Sequence, residues 1–284
     1  MAWVPALLAV YFIWGSTYLA IRVAVHDIAP FLMLGGRFVF AGLLLYGWLR
    51  ARGAANPGWR QWLSSAAVGG LLLGGGNGGV GFAEQSVPSG LAALVIGTTP
   101  LWMAVFGAFW GRRPRCLEVA ALVIGIAGVA LLNANSPLGA HPLPTLVLLF
   151  SAMFWAFGSV WSKALPMPGG AMTSALEMIT GGGVLLVISL IRGEHLPHAV
   201  SSGAWLAVAY LIVVGSLVGF SAYLYLLETV RPALATSYAY VNPVVAVALG
   251  VVLAGEAFTA RIGIALLVIL SSVVLVVLAS QRST

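Results

Sequence analysis

Apolar residues run in long stretches along this chain, and polar residues gather in short breaks between them. A helix needs about 20 residues to cross a hydrocarbon core of roughly 30 Å. Ten stretches reach that length: 3–25, 30–49, 62–83, 89–110, 117–134, 144–163, 171–191, 203–227, 232–253 and 262–280. The breaks include His26-Asp27, Arg50 to Arg60, Glu84 to Pro88, Arg112 to Arg115, Asn135 to Pro144 and Glu228 to Pro232. No loop is long enough for a soluble domain. The pattern predicts an all-α, polytopic membrane protein with ten transmembrane helices.

Composition agrees. Of 284 residues, 61% are hydrophobic and only 7% charged, against about a quarter charged in a soluble domain. A net charge of +6 would point to nucleic acid in a soluble protein. Here the placement of the charge carries the meaning. With the N-terminus cytoplasmic, Arg50, Arg52, Arg60, Arg112, Arg113, Arg115, Lys163, Arg231 and Arg282 lie inside, whereas Arg22, Arg192 and Arg261 lie outside. Basic residues favour the cytoplasmic side, so both termini are expected there. Met-Ala-Trp-Val-Pro at the start lacks the basic region and cleavage site of a signal peptide, which makes the first helix an uncleaved anchor. The single cysteine, Cys116, allows no internal disulfide.

The halves repeat. Glu84 and Pro88 return as Glu228 and Pro232, and Gly111 as Gly255, each at an offset of 144 residues. Pro100 returns as Pro243 and Gly15-Ser16 as Gly158-Ser159, one residue short of that offset. Arg37 with Gly42 corresponds to Glu177 with Gly182. A unit with an odd number of helices repeats upside down, which is the architecture of a carrier open alternately to each side. The expected organisation is two inverted five-helix repeats, residues 1–134 and 143–284.

Four segments carry a family resemblance. They are Ile13-Trp14-Gly15-Ser16-Thr17-Tyr18, Gly76-Asn77-Gly78 leading to Val87-Pro88-Ser89-Gly90, Trp155-Ala156-Phe157-Gly158-Ser159, and the run from Ala233 to Asn242-Pro243. Together they resemble the drug/metabolite transporter superfamily, in its ten-helix branch with two EamA repeats. The resemblance covers nearly the whole chain. It implies a bacterial inner-membrane protein exporting amino acids, metabolites or drugs. Gly255-Glu256 departs from its counterpart Gly111-Arg112, so no role for that glutamate is shared by both halves.

Polar and aromatic groups in a membrane helix face protein or a water-filled cavity. Spacings of three and four residues therefore mark candidate substrate contacts. They are Trp14, Thr17 and Tyr18 in the first helix, Asn77 and Gly78 in the third, and Thr98 and Trp102 in the fourth. The sixth offers Ser151, Trp155 and Ser159, the eighth Ser216, Phe220 and Tyr223, and the ninth Tyr238 and Asn242. The glycines of the third helix serve close packing, a cavity, or both. Pro100 and Pro243 either kink their helices or expose a carbonyl along the path. Helices five and ten are almost purely aliphatic and read as lipid-facing supports. Trp3, Trp48, Trp59, Trp62 and Trp110 suit an interfacial belt. Glu194, His195 and His198 share an outer loop and read as solvated rather than as a metal site.

Arg37 and Glu177 invite pairing, but at 1.5 Å per residue they differ in depth by about 10 Å. Arg37 then reads as an anchor that snorkels.

The chemistry excludes much else. No glycine-rich loop ending in Lys-Ser or Lys-Thr provides for a nucleotide, and no His-Glu-x-x-His motif for a metalloenzyme. No cofactor is expected, and the partners are a small-molecule solute and lipid, as a monomer or weak dimer. The reading is a secondary transporter for small amphiphilic solutes, aromatic amino acids among them. A passive channel and an intramembrane enzyme are remote alternatives. Small four-helix members of the superfamily use a glutamate in their first helix, and this first helix has no acid before Asp27. Facilitated diffusion is therefore expected, with proton antiport through Glu177 as the alternative.

An impermeant thiol reagent should leave Cys116 unlabelled in intact cells and label it once the cytoplasmic face is opened. Strong labelling of intact cells would reverse the orientation.

Overall fold

The computed structural model describes residues 3–111, 116–133, 142–230, 235, 237–255 and 257–281. Arg112, Arg113, Arg115, Arg231, Pro232, Glu256 and Arg282 lie outside the described residues.

Helix α1 spans Trp3–Asp27 and α2 Pro30–Ala51. Helix α3 runs Trp59–Gly69, turns π-helical over Gly70–Asn77 and resumes over Gly78–Ala83. Helix α4 comprises Ser89–Ile96 and Thr99–Phe109, broken just ahead of Pro100. Helix α5 is Cys116–Asn133, and α6 is Pro142–Trp161 with a tight turn at Ser162–Ala164. Helix α7 is Gly170–Ile191. Helix α8 runs Ser202–Tyr210, turns π-helical over Leu211–Phe220 and ends with Ser221–Thr229. Helix α9 is Tyr238–Ala254, with Pro243 inside it, and α10 is Ala260–Gln281. No strand occurs among the described residues. Six helical stretches among them are long and apolar enough to cross a membrane.

The sequence pattern treats the third and eighth helices as plain α-helices, and the π turns correct this. Both lie at corresponding places: the 144-residue offset carries 70–77 to 214–221, which overlaps Leu211–Phe220. Such turns concentrate at functional sites, because the wider i→i+5 loop displaces the local backbone.

The bundle is apolar outside and polar within, as a bilayer requires. Leu43, Val187, Leu190, Ile191, Leu206 and Leu267 are exposed, whereas Ser65, Ser151, Ser174, Glu177 and Ser216 are buried. Trp48, Trp59 and Trp110 are exposed, as an interfacial belt would be, and Arg52 lies 4.9 Å from the Trp48 ring. Helices α5 and α10 pack mainly on each other, with Gly128 against Val268 and Ile269.

The extensive packing pairs are α2 with α7, α3 with α7, α5 with α10, α4 with α9, α1 with α9, α4 with α6, α3 with α6, and α1 with α8. The α2–α7 pair depends on glycine. A Cβ at Gly182 would stand 2.8 Å from the Val39 backbone nitrogen, and one at Gly42 would stand 2.8 Å from that of Ile179. Backbones this close need hydrogen as the side chain.

Acidic groups cap helices at two loops. Glu194 accepts a hydrogen bond from the Leu32 N–H in the first turn of α2 (2.8 Å), and Glu228 accepts from the Gly170 N–H that begins α7 (2.7 Å). A carboxylate there offsets unpaired N–H groups and the helix dipole. Among the described residues no group of three His, Cys, Asp or Glu side chains could hold a metal ion.

Gly182→Ala should lower the thermal stability of the purified protein, by an overpacking cost of about 1–3 kcal/mol. Gly183→Ala should not, because nothing lies within 4 Å of a Cβ there. Equal melting of both variants would contradict the close α2–α7 contact.

Candidate functional site

A cavity lies inside the bundle, and the space in it together with the open solvent at its mouth amounts to about 650 Å³. Helix α1 contributes Trp14, Thr17, Tyr18 and Ile21, and α2 contributes Arg37 and Phe38. Leu73, Gly76, Asn77 and Val80 come from α3, and Ile96 from α4. Ser151 and Trp155 come from α6, Gly215 and Phe220 from α8, and Tyr238 from α9. The π-helical turns of α3 and α8 both supply lining residues.

The aromatic part of this wall is one connected cluster around Trp14. Its ring centroid is 5.5 Å from Trp155, 4.9 Å from Tyr223, 5.0 Å from Tyr238 and 6.5 Å from Phe220. Trp155 stands edge-on to Trp14, and so does Tyr238, the arrangement favoured by the ring quadrupoles. Gly219 makes room for Trp14: a Cβ there would be 2.7 Å from the indole nitrogen. That indole N–H donates to the Gly215 carbonyl (3.4 Å) inside the π turn of α8. One helix thus both admits Trp14 and orients it.

Hydrogen bonds tie the surrounding helices. Ser159 and Tyr223 share a bond of 3.2 Å, and Tyr11 and Ser237 one of 2.7 Å. With the Asn242 amide assigned so that its nitrogen faces the two carbonyls beside it, it donates to the backbone of Tyr238 (3.1 Å) and Tyr11 (3.0 Å), joining α9 to α1.

Several expected contacts reach the cavity: Trp14, Thr17, Tyr18, Asn77, Trp155 and Tyr238 line it. Ser151 and Phe220 line it too, whereas seven others are placed elsewhere, among them Ser216, which is enclosed outside the lining. Tyr223 backs Trp14 and Trp155 from behind, held by Ser159. Asn242 is spent on backbone carbonyls, and Thr98 donates to Val95 of its own helix (2.7 Å). Gly78 faces neighbouring helices, since a Cβ there would meet Leu185 at 2.6 Å. Trp102 stacks on Phe106 in a second aromatic group with Phe157, Trp110 and Trp161. The third-helix glycines likewise divide: Gly76 lines the cavity, whereas Gly75 meets Phe154 and Gly81 meets Leu34.

The residue that sequence reasoning misjudged is Arg37. It does not snorkel to a surface. It is 4% exposed, lines the cavity, and donates from Nη2 to Asn77 Oδ1 (3.3 Å). Its Nε and Nη1 have no partner. The signal available was a cation seven residues inside a helix whose neighbours Gly35 and Gly42 give it a thin, protein-facing side. Glu177 is 1% exposed on α7 and is absent from the cavity lining. Among the described residues no ion pair joins Arg37 and Glu177. Glu84, expected at a helix end, is also enclosed at 2% exposure.

The chain matches the model of the EamA-like transporter family twice, over residues 1–134 and 143–278. It is 46% identical to an uncharacterized inner membrane transporter, YedA, of Escherichia coli K12, covering 96% of this chain and 90% of that one. It is 25% identical to a probable amino-acid metabolite efflux pump of the same organism, covering 76% and 75%. A protein of known crystal structure superposes with a TM-score of 0.70 at 22% identity, over 99% of this chain and 98% of that one. That likeness is one of fold.

Truncating Trp14 or Trp155 to Ala should weaken binding of small aromatic solutes by about tenfold, roughly 1.4 kcal/mol. Trp102→Ala should leave it unchanged. Titration calorimetry on purified variants checks this, and a loss with Trp102→Ala as large as with Trp14→Ala would count against the cavity as the binding place.

Proposed function

We propose that this chain, which belongs to the EamA-like transporter family, is an inner-membrane secondary transporter that exports small amphiphilic solutes by alternating access. The observation that carries this reading is the cavity. Its walls come from α1–α4 and from α6, α8 and α9, so both halves of the chain contribute. Aromatic faces suit an apolar or aromatic body, and Asn77, Thr17, Ser151 and Arg37 suit polar ends.

Two inverted repeats, residues 1–134 and 143–284, each with five crossing helices, are the organisation this reading uses. Three observations support it. The family model matches twice, in regions that nearly coincide with those bounds. Both π turns fall at corresponding places. The packing pairs survive exchange of the halves: α1 with α9 becomes α6 with α4, and α3 with α6 becomes α8 with α1. The basic residues support cytoplasmic termini. In this reading export proceeds by exchange between inward-open and outward-open states, with the Trp14 cluster as the layer that rearranges between them. The names of the relatives support an inner-membrane setting and small metabolites as cargo.

Facilitated diffusion is the proposed energetics, because no carboxylate lines the cavity among the described residues. One observation favours proton antiport instead. Glu177 is enclosed and its Oε2 has no hydrogen-bond partner, and an enclosed carboxylate is costly to ionise.

Vesicles reconstituted with the protein should equilibrate an aromatic solute, show counterflow, and fail to accumulate it when a pH gradient is imposed. Glu177→Gln should leave this behaviour intact. Uphill accumulation driven by the gradient, abolished by Glu177→Gln alone, would establish the antiport reading.

A further inference from the structure

Arg37 is a charge without a sufficient partner. A guanidinium has five N–H donors and no acceptor. Here Nη2 donates to the neutral Asn77 amide at 3.3 Å, while Nε and Nη1 bond to nothing. The cation lies 4.2 Å from the ring of its own neighbour Phe38. Glu84 acts on it electrostatically, but no carboxylate lies within ion-pair distance of it among the described residues. Buried charges are normally paired and fully hydrogen-bonded, because desolvation is expensive. This one lines a cavity in which it is the only charged side chain among the described residues.

We infer that the missing partner is the solute, and that the cavity takes molecules bearing a carboxylate, held by Arg37 together with Asn77. This rests on the transporter reading of the same cavity. A single cation with one amide suits a monoanion. Arg is suited to carboxylates because its planar fork matches their two oxygens. The rest of the wall fixes the remainder of the solute: Trp14, Trp155, Phe220 and Tyr238 offer aromatic faces, and Thr17 and Ser151 add uncharged hydroxyls. The class is therefore an aromatic or apolar monocarboxylate, with amino acids included when their body is apolar. When a carboxylate enters, the guanidinium keeps Asn77 or exchanges it for the anion. Either way its unused N–H groups gain an acceptor. A neutral analogue leaves them unmet, and selectivity follows from that difference rather than from fit.

The test compares 3-phenylpropionate and benzoate with their neutral amides by titration calorimetry on the purified, full-length protein in lipid nanodiscs. Each acid should bind at least about tenfold more tightly than its amide, about 1.4 kcal/mol. Arg37→Gln should bring the acid down to the affinity of the amide without changing the amide, and Arg37→Lys should retain part of the preference. Equal binding of acid and amide by the unmodified protein overturns the carboxylate inference and leaves the transporter reading standing. Binding of neither kind of probe counts against the cavity as a solute site, and this inference falls with it. If Arg37→Gln does not fold, the acid-to-amide comparison in the unmodified protein decides alone.

Discussion

A bilayer core offers a polar group nothing to bond with. In this chain that constraint acts first on the backbone, which becomes helical nearly throughout. It acts next on side chains, turning Ser, Thr, Asn, Arg and Glu inward while Leu, Val and Phe face lipid. Lipid tails are as apolar as the helices, so hydrophobic burial cannot hold the bundle together as it holds a soluble core. Close packing must do so instead. Gly42 and Gly182 bring α2 and α7 nearly to backbone contact, and the bonds of Asn242, Ser159 and Tyr11 link helices that pass the cavity.

Within that bundle the aromatic cluster at Trp14 is the hub. It touches rings from α6, α8 and α9 at once, so any movement of the halves against each other must rearrange it. The π turns adjoin it through Gly215, Phe220, Gly76 and Asn77. A π turn carries a poorer, more easily altered hydrogen-bond ladder than the flanking α-helix, which gives both long helices a place to bend beside the site.

The halves share a layout but not a chemistry. Arg37 and Glu177 occupy corresponding positions in the repeat, and both are enclosed. One is a cation at the wall of the cavity, and the other an acid away from it.

Much of this was legible in the residues themselves. Lipid demands apolar stretches of a set length, so the apolar helices read directly from the pattern. Trp14, Tyr18, Asn77, Trp155 and Tyr238 were legible as polar or aromatic groups on faces that lipid would reject. Which inner face looks into space and which onto a neighbour was not. Gly78 and Asn242 meet other helices and Trp102 stacks on Phe106 of its own, and only the packing of α3, α9 and α4 decides that these side chains miss the cavity. The π turns were equally hidden, because runs of Gly, Leu and Val suit i→i+4 and i→i+5 bonding alike. Arg37 shows the difference most plainly. Its sequence position fixed its depth, but its surroundings come from helices far along the chain, and a charge has no role until the groups that face it are known.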